Sequence, residues 1–200
     1  MKNLFRLYAL AGFALICFGC NNSSQSDSAA AAKDSNATKM DSAGTTGTSS
    51  MAASVSKVDA QFAVDAADAG MTEVQLGQMA QQKGVAKDVK DYGKMMVNDH
   101  TEAADKLKAL ASTKNITLPA TVSADMQKNI DNLQQKSGKD FDKAYISMMV
   151  DDHKKVIGKF EDESKNGSDA DIRAFADSTL HTLRHHLDEA QKCAKMEKGM

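Results

Sequence analysis

Apolar residues recur at steps of three and four along much of this chain, the spacing that places them on one face of an α-helix. Four long stretches have this spacing, at about 58–83, 86–113, 140–166 and 168–190. A shorter stretch at about 123–135 carries Met126, Ile130 and Leu133 on one face. Runs of β-branched residues with a period of two are missing from the sequence. The pattern predicts an all-α fold with four long helices and a short one.

Glycine, serine and proline indicate where the predicted helices begin and end. Gly84 follows the first long stretch and Gly167 follows the third, and glycine commonly ends a helix. Ser168 followed by Asp171 resembles a capping box that opens the last helix. Pro119 disfavours a helical residue before it, so a loop is expected there. Two short turns and one longer connection predict an antiparallel four-helix bundle, with the short helix in the middle connection.

The first twenty residues have the pattern of an export signal. A basic start is followed by an apolar run over 7–18, and the run ends at Gly19 and Cys20. A small residue before a cysteine, with a polar tract after it, resembles the cleavage site of a bacterial lipoprotein. The sequence therefore predicts a signal peptide over 1–19 and lipidation of Cys20. Cleavage without lipidation and an uncleaved anchor are the alternatives.

Composition divides the rest of the chain into a tether and a domain. Residues 20–52 are mostly Ser, Ala, Thr, Asn and Gly with few large apolar groups. Such a segment buries too little surface to offset its ordering entropy, so a disordered tether is predicted. Residues 53–200 have the size of one ordinary domain and are predicted to form the bundle.

Charge argues against a nucleic-acid-binding protein, and cysteine content argues against a fold held by an intrachain disulfide. The net charge is -2, and no basic stripe of the kind that binds nucleic acid is present, so a nucleic-acid partner is not expected. Cys17 would leave with the signal and Cys20 would carry lipid. Cys193 then has no second cysteine, so an intrachain disulfide is not predicted.

A short phrase that occurs twice carries the most suggestive chemistry. The sequence MMVNDH at 95–100 returns as MMVDDH at 148–153, and Tyr92 and Tyr145 precede the two copies at the same distance. Both copies lie in predicted long helices. Each copy therefore places one histidine on a helix, His100 in the first and His153 in the second.

Polar residues of four predicted helices are expected near one level of the bundle. Glu73 stands near the centre of an apolar helix face, where a carboxylate without a partner is costly. Residue counts from the predicted turns place Glu73, His100 and His153 at about the same height along the bundle axis. The same counts place His186 roughly 6 Å from that height. The predicted metal site consists of Glu73, His100, His153 and His186, with Asp99 and Asp152 as outer acceptors. The candidate ions are divalent iron, manganese, zinc and copper.

The same residues have a purely structural interpretation. A buried glutamate and several histidines can satisfy one another across helices without an ion. Met96 and Met149, one turn before the histidines, suit copper(I), although methionine is also a common filler of irregular cores. No glutamate has a histidine three residues later. The Glu-x-x-His pairs of di-iron bundles are therefore missing, which disfavours a ferroxidase of that type.

Several of these motifs resemble those of domain-of-unknown-function family 4142. The similar stretches are 69–77 (AGMTEVQLG), 95–100, 141–145 (FDKAY), 148–153 and 179–187, within a resemblance that covers nearly all of 58–191. It implies an exported bacterial protein of the periplasm or outer membrane with a ferritin-like helical bundle. The matching candidate positions are Glu73, His100, His153 and His186. His181 stands where the family commonly has proline.

The combined expectation is a lipid-anchored protein of the bacterial cell envelope that carries a ferritin-like bundle. The leading hypothesis for its function is that it acts as a non-catalytic binding or protective module that holds a metal. One alternative is an iron- or manganese-dependent redox enzyme. Another is a bundle without a small ligand that acts through a protein partner or in stress protection.

Overall fold

The computed structural model describes residues 27–43 and 55–199, and these residues form six α-helices without a strand. The helices are α1 (Ser28–Ala43), α2 (Lys57–Lys83), α3 (Lys87–Thr113), α4 (Ala124–Gln134), α5 (Gly138–Asn166) and α6 (Ala170–Gly199). The predicted all-α helical bundle is confirmed. The predicted signal peptide, Cys20 and the tether residues 20–26 and 44–52 lie outside the described residues.

The four long helices form two hairpins joined by a connection that spans the bundle. α2 packs along α3, and α5 packs along α6. Lys114, just after α3, lies 2.7 Å from Asp169 at the start of α6. Asp142 near the start of α5 instead binds the turn that follows α2. The chain therefore returns along the full length of the bundle between α3 and α5, and α4 lies within this return.

Two buried aspartates hold the turns of the two hairpins. The Asp142 carboxylate accepts the backbone N–H groups of Val85 and Ala86, at distances down to 2.8 Å. Asp59 on α2 does the same for the turn between α5 and α6, where two backbone N–H groups donate to it at 3.0 and 2.8 Å. Each hairpin turn is thus fixed by the first helix of the other hairpin, which aligns the two hairpins along the bundle.

The helix start predicted at Ser168 is wrong, because Asp169 caps α6 instead. Asp169 Oδ1 accepts the N–H groups of Asp171 and Ile172 at 2.9 and 3.1 Å. A carboxylate at this position satisfies free N–H groups and also lies at the positive end of the helix dipole. The Ser168 N–H is used elsewhere, as a donor to Asp59.

The structure departs from the predicted disordered tether, since α1 lies inside residues 20–52. Two alanines of α1 pack around the fully buried Val64 of α2. Asn36 Nδ2 donates to the carbonyl of Thr117 at 2.9 Å, and Asn36 Oδ1 accepts the N–H of Thr117 at 2.7 Å. Met40, the one large apolar residue of α1, packs against the apolar cluster around Phe62 and Phe160. Together these contacts order the helix. The prediction considered only apolar burial and therefore missed them.

Two apolar clusters fill the bundle, one towards each hairpin turn. The first includes Leu76, Tyr92, Met96, Tyr145 and Met149, and its two tyrosine rings meet edge to face at 6.0 Å. The second includes Phe62, Leu107, Phe160, Ile172 and Leu183. The second methionine of each copy of the repeated phrase, Met96 or Met149, is fully buried in the first cluster, which supports a role as core filler.

The α2–α3 hairpin has a close backbone contact that yields a testable prediction. A Cβ atom on Gly93 would lie 2.7 Å from the carbonyl oxygen of Gly77 and 2.8 Å from the Cβ of Ala80. The helices must separate to admit it, so Gly93→Ala should lower the free energy of unfolding by about 1–3 kcal/mol. Gly158→Ala is the matched control, because a Cβ there meets nothing within 4 Å and alanine favours a helix by about 1 kcal/mol. If urea denaturation shows that both substitutions change the free energy of unfolding in the same direction, the close contact is contradicted.

A second prediction concerns Glu163, which is buried beside Asp59 at the other turn. Burial and the Asp59 carboxylate raise the pKa of Glu163 to about 7. A carboxyl whose pKa is raised on folding stabilises the fold below its unfolded pKa, and this contribution is lost as pH rises towards 7. Between pH 4.5 and 7.5, Glu163→Gln should therefore gain on the order of 1–3 kcal/mol relative to wild type. Urea denaturation across this range measures the gain, and the exposed Glu102→Gln should show none.

Candidate metal centre

Three histidines from three helices meet between the two apolar clusters. His100 on α3, His153 on α5 and His186 on α6 are all buried, and each offers a ring nitrogen such that the three atoms lie within 4.8 Å of one another. The shortest contact joins His153 Nε2 to His186 Nδ1 at 3.3 Å. The structure thus brings the three histidines predicted from the sequence into one group.

The predicted height of His186 is wrong, because side chains lean along a helix. α2 ends ten residues after Glu73, and His100 is thirteen residues after the start of α3. His153 and His186 show the same offset of three, at thirteen and sixteen residues from their turn. Each Cβ points towards the helix N-terminus, so a side chain before a turn leans away from it and one after leans towards it. Two side chains on the two helices of a hairpin therefore meet when the residue on the second helix is farther from the turn than the residue on the first helix.

Hydrogen bonds set the tautomers of His153 and His186. His153 Nδ1 lies 2.9 Å from the Met149 carbonyl oxygen, which can only accept, so Nδ1 carries the proton. His186 Nε2 lies 2.9 Å from Asp99 Oδ2 and donates to that carboxylate. The two nitrogens that face each other, His153 Nε2 and His186 Nδ1, are then both unprotonated. Two lone pairs oppose each other at 3.3 Å inside the protein.

Glu73 contacts the outer ring nitrogen, Nδ1, of His100 and of His153. Glu73 Oε2 lies 3.2 Å from His100 Nδ1, and Glu73 Oε1 lies 3.5 Å from His153 Nδ1. Because His153 Nδ1 already donates to Met149, Glu73 Oε1 receives no hydrogen bond. His100 Nε2 is also buried, and no described residue forms a hydrogen bond with it. Glu73 thus orients rings from outside. When His100 Nδ1 donates to Glu73 Oε2, the inner nitrogens of all three rings have free lone pairs.

Electrostatics keeps this group in its neutral forms. Burial, together with the nearby Asp152 carboxylate, raises the pKa of Glu73 to about 8. Burial and the neighbouring His186 lower the pKa of His153 to about 4, and burial lowers that of His100 well below its usual value. Burial also lowers the pKa of His186, although Asp99 opposes this shift. At neutral pH the imidazoles therefore offer lone pairs rather than positive charge, as metal ligands must.

The two aspartates predicted as outer acceptors have different surroundings. Asp99 binds His186 as described, so the structure brings it to the group. Asp152 makes no hydrogen bond to a histidine among those found in the described residues. Its side chain is 35% exposed and lies 3.6 Å from Lys155 at the surface. The Met149 carbonyl, which orients His153, has no side-chain signal and was not predicted.

A small cavity adjoins this group. Its volume is about 30 Å³, and its walls include Glu73, His100, Thr179 and Leu183. A single water needs roughly 10–15 Å³, so the cavity has room for about two waters. Of the three histidines only His100 lines the cavity, so this free space lies on the Glu73 and His100 side of the group.

The model of the domain of unknown function DUF4142 matches residues 44–193. The chain belongs to this family. The match confirms the resemblance drawn from the repeated phrase and covers Glu73 and all three histidines of the group. No match was found among curated proteins or among solved structures.

The described helices also bear on membrane contact. Across residues 27–43 and 55–199, none is both long and apolar enough to cross a membrane.

Proposed function

We propose that this protein binds one divalent transition metal ion through His100, His153 and His186. The opposed lone pairs of His153 and His186, 3.3 Å apart, carry the proposal. Without an ion or a proton between them these atoms repel, and burial disfavours the proton. Two nitrogens that bind zinc at 2.0–2.1 Å with a tetrahedral angle are themselves about 3.3 Å apart. The observed spacing suits one ion held by both rings.

The ligand chemistry favours zinc or copper. Three neutral imidazoles suit zinc, copper, nickel and iron, whereas manganese prefers oxygen ligands. Glu73 and Asp99 contact outer nitrogens, the arrangement in which carboxylates orient metal-binding histidines and make them more basic. The iron- or manganese-dependent redox enzyme would need a carboxylate ligand. Glu73 supplies one only if it turns away from the His100 ring. Zinc is therefore the first ion to test.

We place this module in the bacterial cell envelope, where a lipid on Cys20 holds it to a membrane. The support is the signal-like start, the cysteine after Gly19 and the polar tract that follows. We also propose a ferritin-like bundle, because one long return joins its two hairpins. The role is binding or protection without catalysis. Cys20→Ser should abolish incorporation of a labelled fatty acid into the exported protein, and unchanged labelling would contradict the lipid anchor at this cysteine.

The metal proposal is tested on the chain without its signal peptide, made soluble by Cys20→Ser. The protein is exposed to zinc, copper, iron and manganese, freed of unbound ions and measured by elemental mass spectrometry. About one ion per chain is expected, and the His100→Ala, His153→Ala, His186→Ala triple variant should hold none. The matched control replaces the exposed His181 and His185 by alanine and should keep the ion. Metal-free protein in every sample would overturn the proposal.

A further inference from the structure

We infer that the groove between α2, α4 and α5 is the path by which the divalent cation reaches the three histidines. In this inference Glu73 and Asp152 form a carboxylate site that holds the ion on its way. The inference rests on the proposed metal centre and adds a second, oxygen-lined position for a partly hydrated cation.

The groove is large enough for a hydrated ion and leads inward to Glu73. Its volume is about 270 Å³. Phe62 and Phe160 contribute apolar wall, and Met126 of α4 lines it as well. Asp152 lies among the lining residues, and so does the buried Glu73. A cation that enters here passes from a partly exposed carboxylate to a buried one.

Glu73 Oε1 is an oxygen without a hydrogen bond at the inner end of this groove. Glu73 is only 4% exposed, and Oε1 accepts no hydrogen bond. The imidazole nitrogen His153 Nδ1 lies 3.5 Å away but donates to Met149. An unused buried carboxylate oxygen is costly, and a divalent cation with oxygen ligands would satisfy it.

The other carboxylates of the groove are already used, which singles out Asp152. Asp65 lies 2.8 Å from Lys33 and 3.1 Å from Lys159. Asp68 accepts the backbone N–H of Ser123 at 2.7 Å. Within the described residues Asp152 has a single ion pair, with Lys155 at 3.6 Å. It is therefore the carboxylate that an incoming cation can recruit at least cost.

The groove continues towards the histidines through the small inner cavity. Both spaces are lined by Ala66, Ala69 and Glu73, and the inner cavity also touches His100. The small alanine side chains leave the passage beside Glu73 open. On the far side of the group, Asp99 is bound to His186 and covers that nitrogen. Entry past Glu73 thus reaches His100 without breaking the His186–Asp99 contact.

The test measures how fast the metal-free protein takes up zinc from a chromogenic zinc indicator in a stopped-flow instrument. Asp152→Asn removes the charge but keeps the shape, and should slow uptake on the order of tenfold, because charged clefts raise local cation concentration. Bound zinc at equilibrium should remain about one per chain. Asp151→Asn is the matched control, since Asp151 is the exposed neighbour in the same phrase, and should take up zinc at the wild-type rate.

A steric variant tests the path independently of charge. Ala69→Leu fills the passage shared by the two spaces and should slow both uptake and release, while circular dichroism checks its fold. Equal uptake rates in wild type, Asp152→Asn and Ala69→Leu would overturn the entry path and leave the metal centre intact. Loss of zinc at equilibrium in Asp152→Asn would make Asp152 part of the final site and also overturn it. Wild-type protein that takes up no zinc would instead refute the metal centre itself.

Discussion

Saturating zinc is expected to raise the midpoint of thermal unfolding of the wild-type chain by roughly 10 °C. A ligand at 1,000 times its dissociation constant stabilises the folded state by about 4 kcal/mol. In a chain of this size each 1 kcal/mol shifts the midpoint by about 2–4 °C. His153→Ala should abolish the shift, because His153 supplies one of the opposed nitrogens and is fully buried. Circular dichroism at 222 nm, with and without zinc, measures the effect.

The shift within each variant is the informative quantity, since His153→Ala also weakens the metal-free fold. It empties a fully buried position and removes the side-chain hydrogen bond to the Met149 carbonyl. His181→Ala is the control, because His181 is exposed on α6 and outside the group, and it should shift as wild type does. An equal zinc shift in wild type and His153→Ala would place the bound zinc elsewhere.

Most of the bundle was predictable because the helices are long and strongly periodic. The predicted start of the first long helix, about residue 58, differs by one residue from that of α2 (Lys57–Lys83). α1 escaped prediction for a physical reason. Its order comes from small alanines, from the single large apolar residue Met40, and from Asn36, whose partner Thr117 is far away in sequence. Composition measures apolar content within a segment and carries no information about such distant polar contacts.

The members of the site were easier to predict than their roles. The repeated phrase pointed to His100 and His153, and helical spacing pointed to Glu73. Spacing alone does not tell which nitrogen of a ring faces a neighbour, so Glu73 was predicted as a ligand although it contacts outer nitrogens. The contact between His186 and His153 was also not predicted, because residue counting ignores the tilt of side chains towards the helix N-terminus.

The role of Glu73 can be decided by replacing its carboxylate with an amide of the same shape. We expect Glu73→Gln to weaken zinc binding by roughly 10–100-fold, the usual cost of losing an outer partner of a metal-binding histidine. Glutamine still accepts a hydrogen bond from His100 Nδ1, but unlike Glu73 it cannot lose a proton when the metal binds and so cannot supply the charge that makes the ring more basic. The stability of the metal-free fold should change little, because burial already favours the neutral form of Glu73. Competition with a zinc chelator of known affinity measures the first effect, and urea denaturation measures the second.

The size of the loss of zinc affinity in Glu73→Gln shows whether Glu73 is a direct metal ligand or an outer partner of a histidine ligand. A direct ligand contributes a bond to the ion, so its removal would leave only the three imidazoles and lower affinity far beyond 100-fold. An outer partner acts through ring basicity and orientation, and its loss stays within that range. Glu102→Gln, an exposed carboxylate paired with Lys106, controls for net charge and should bind zinc as wild type does. Unchanged affinity in Glu73→Gln would mean that the contact with His100 only packs the core, and would shift the orienting role to Asp99 and the Met149 carbonyl.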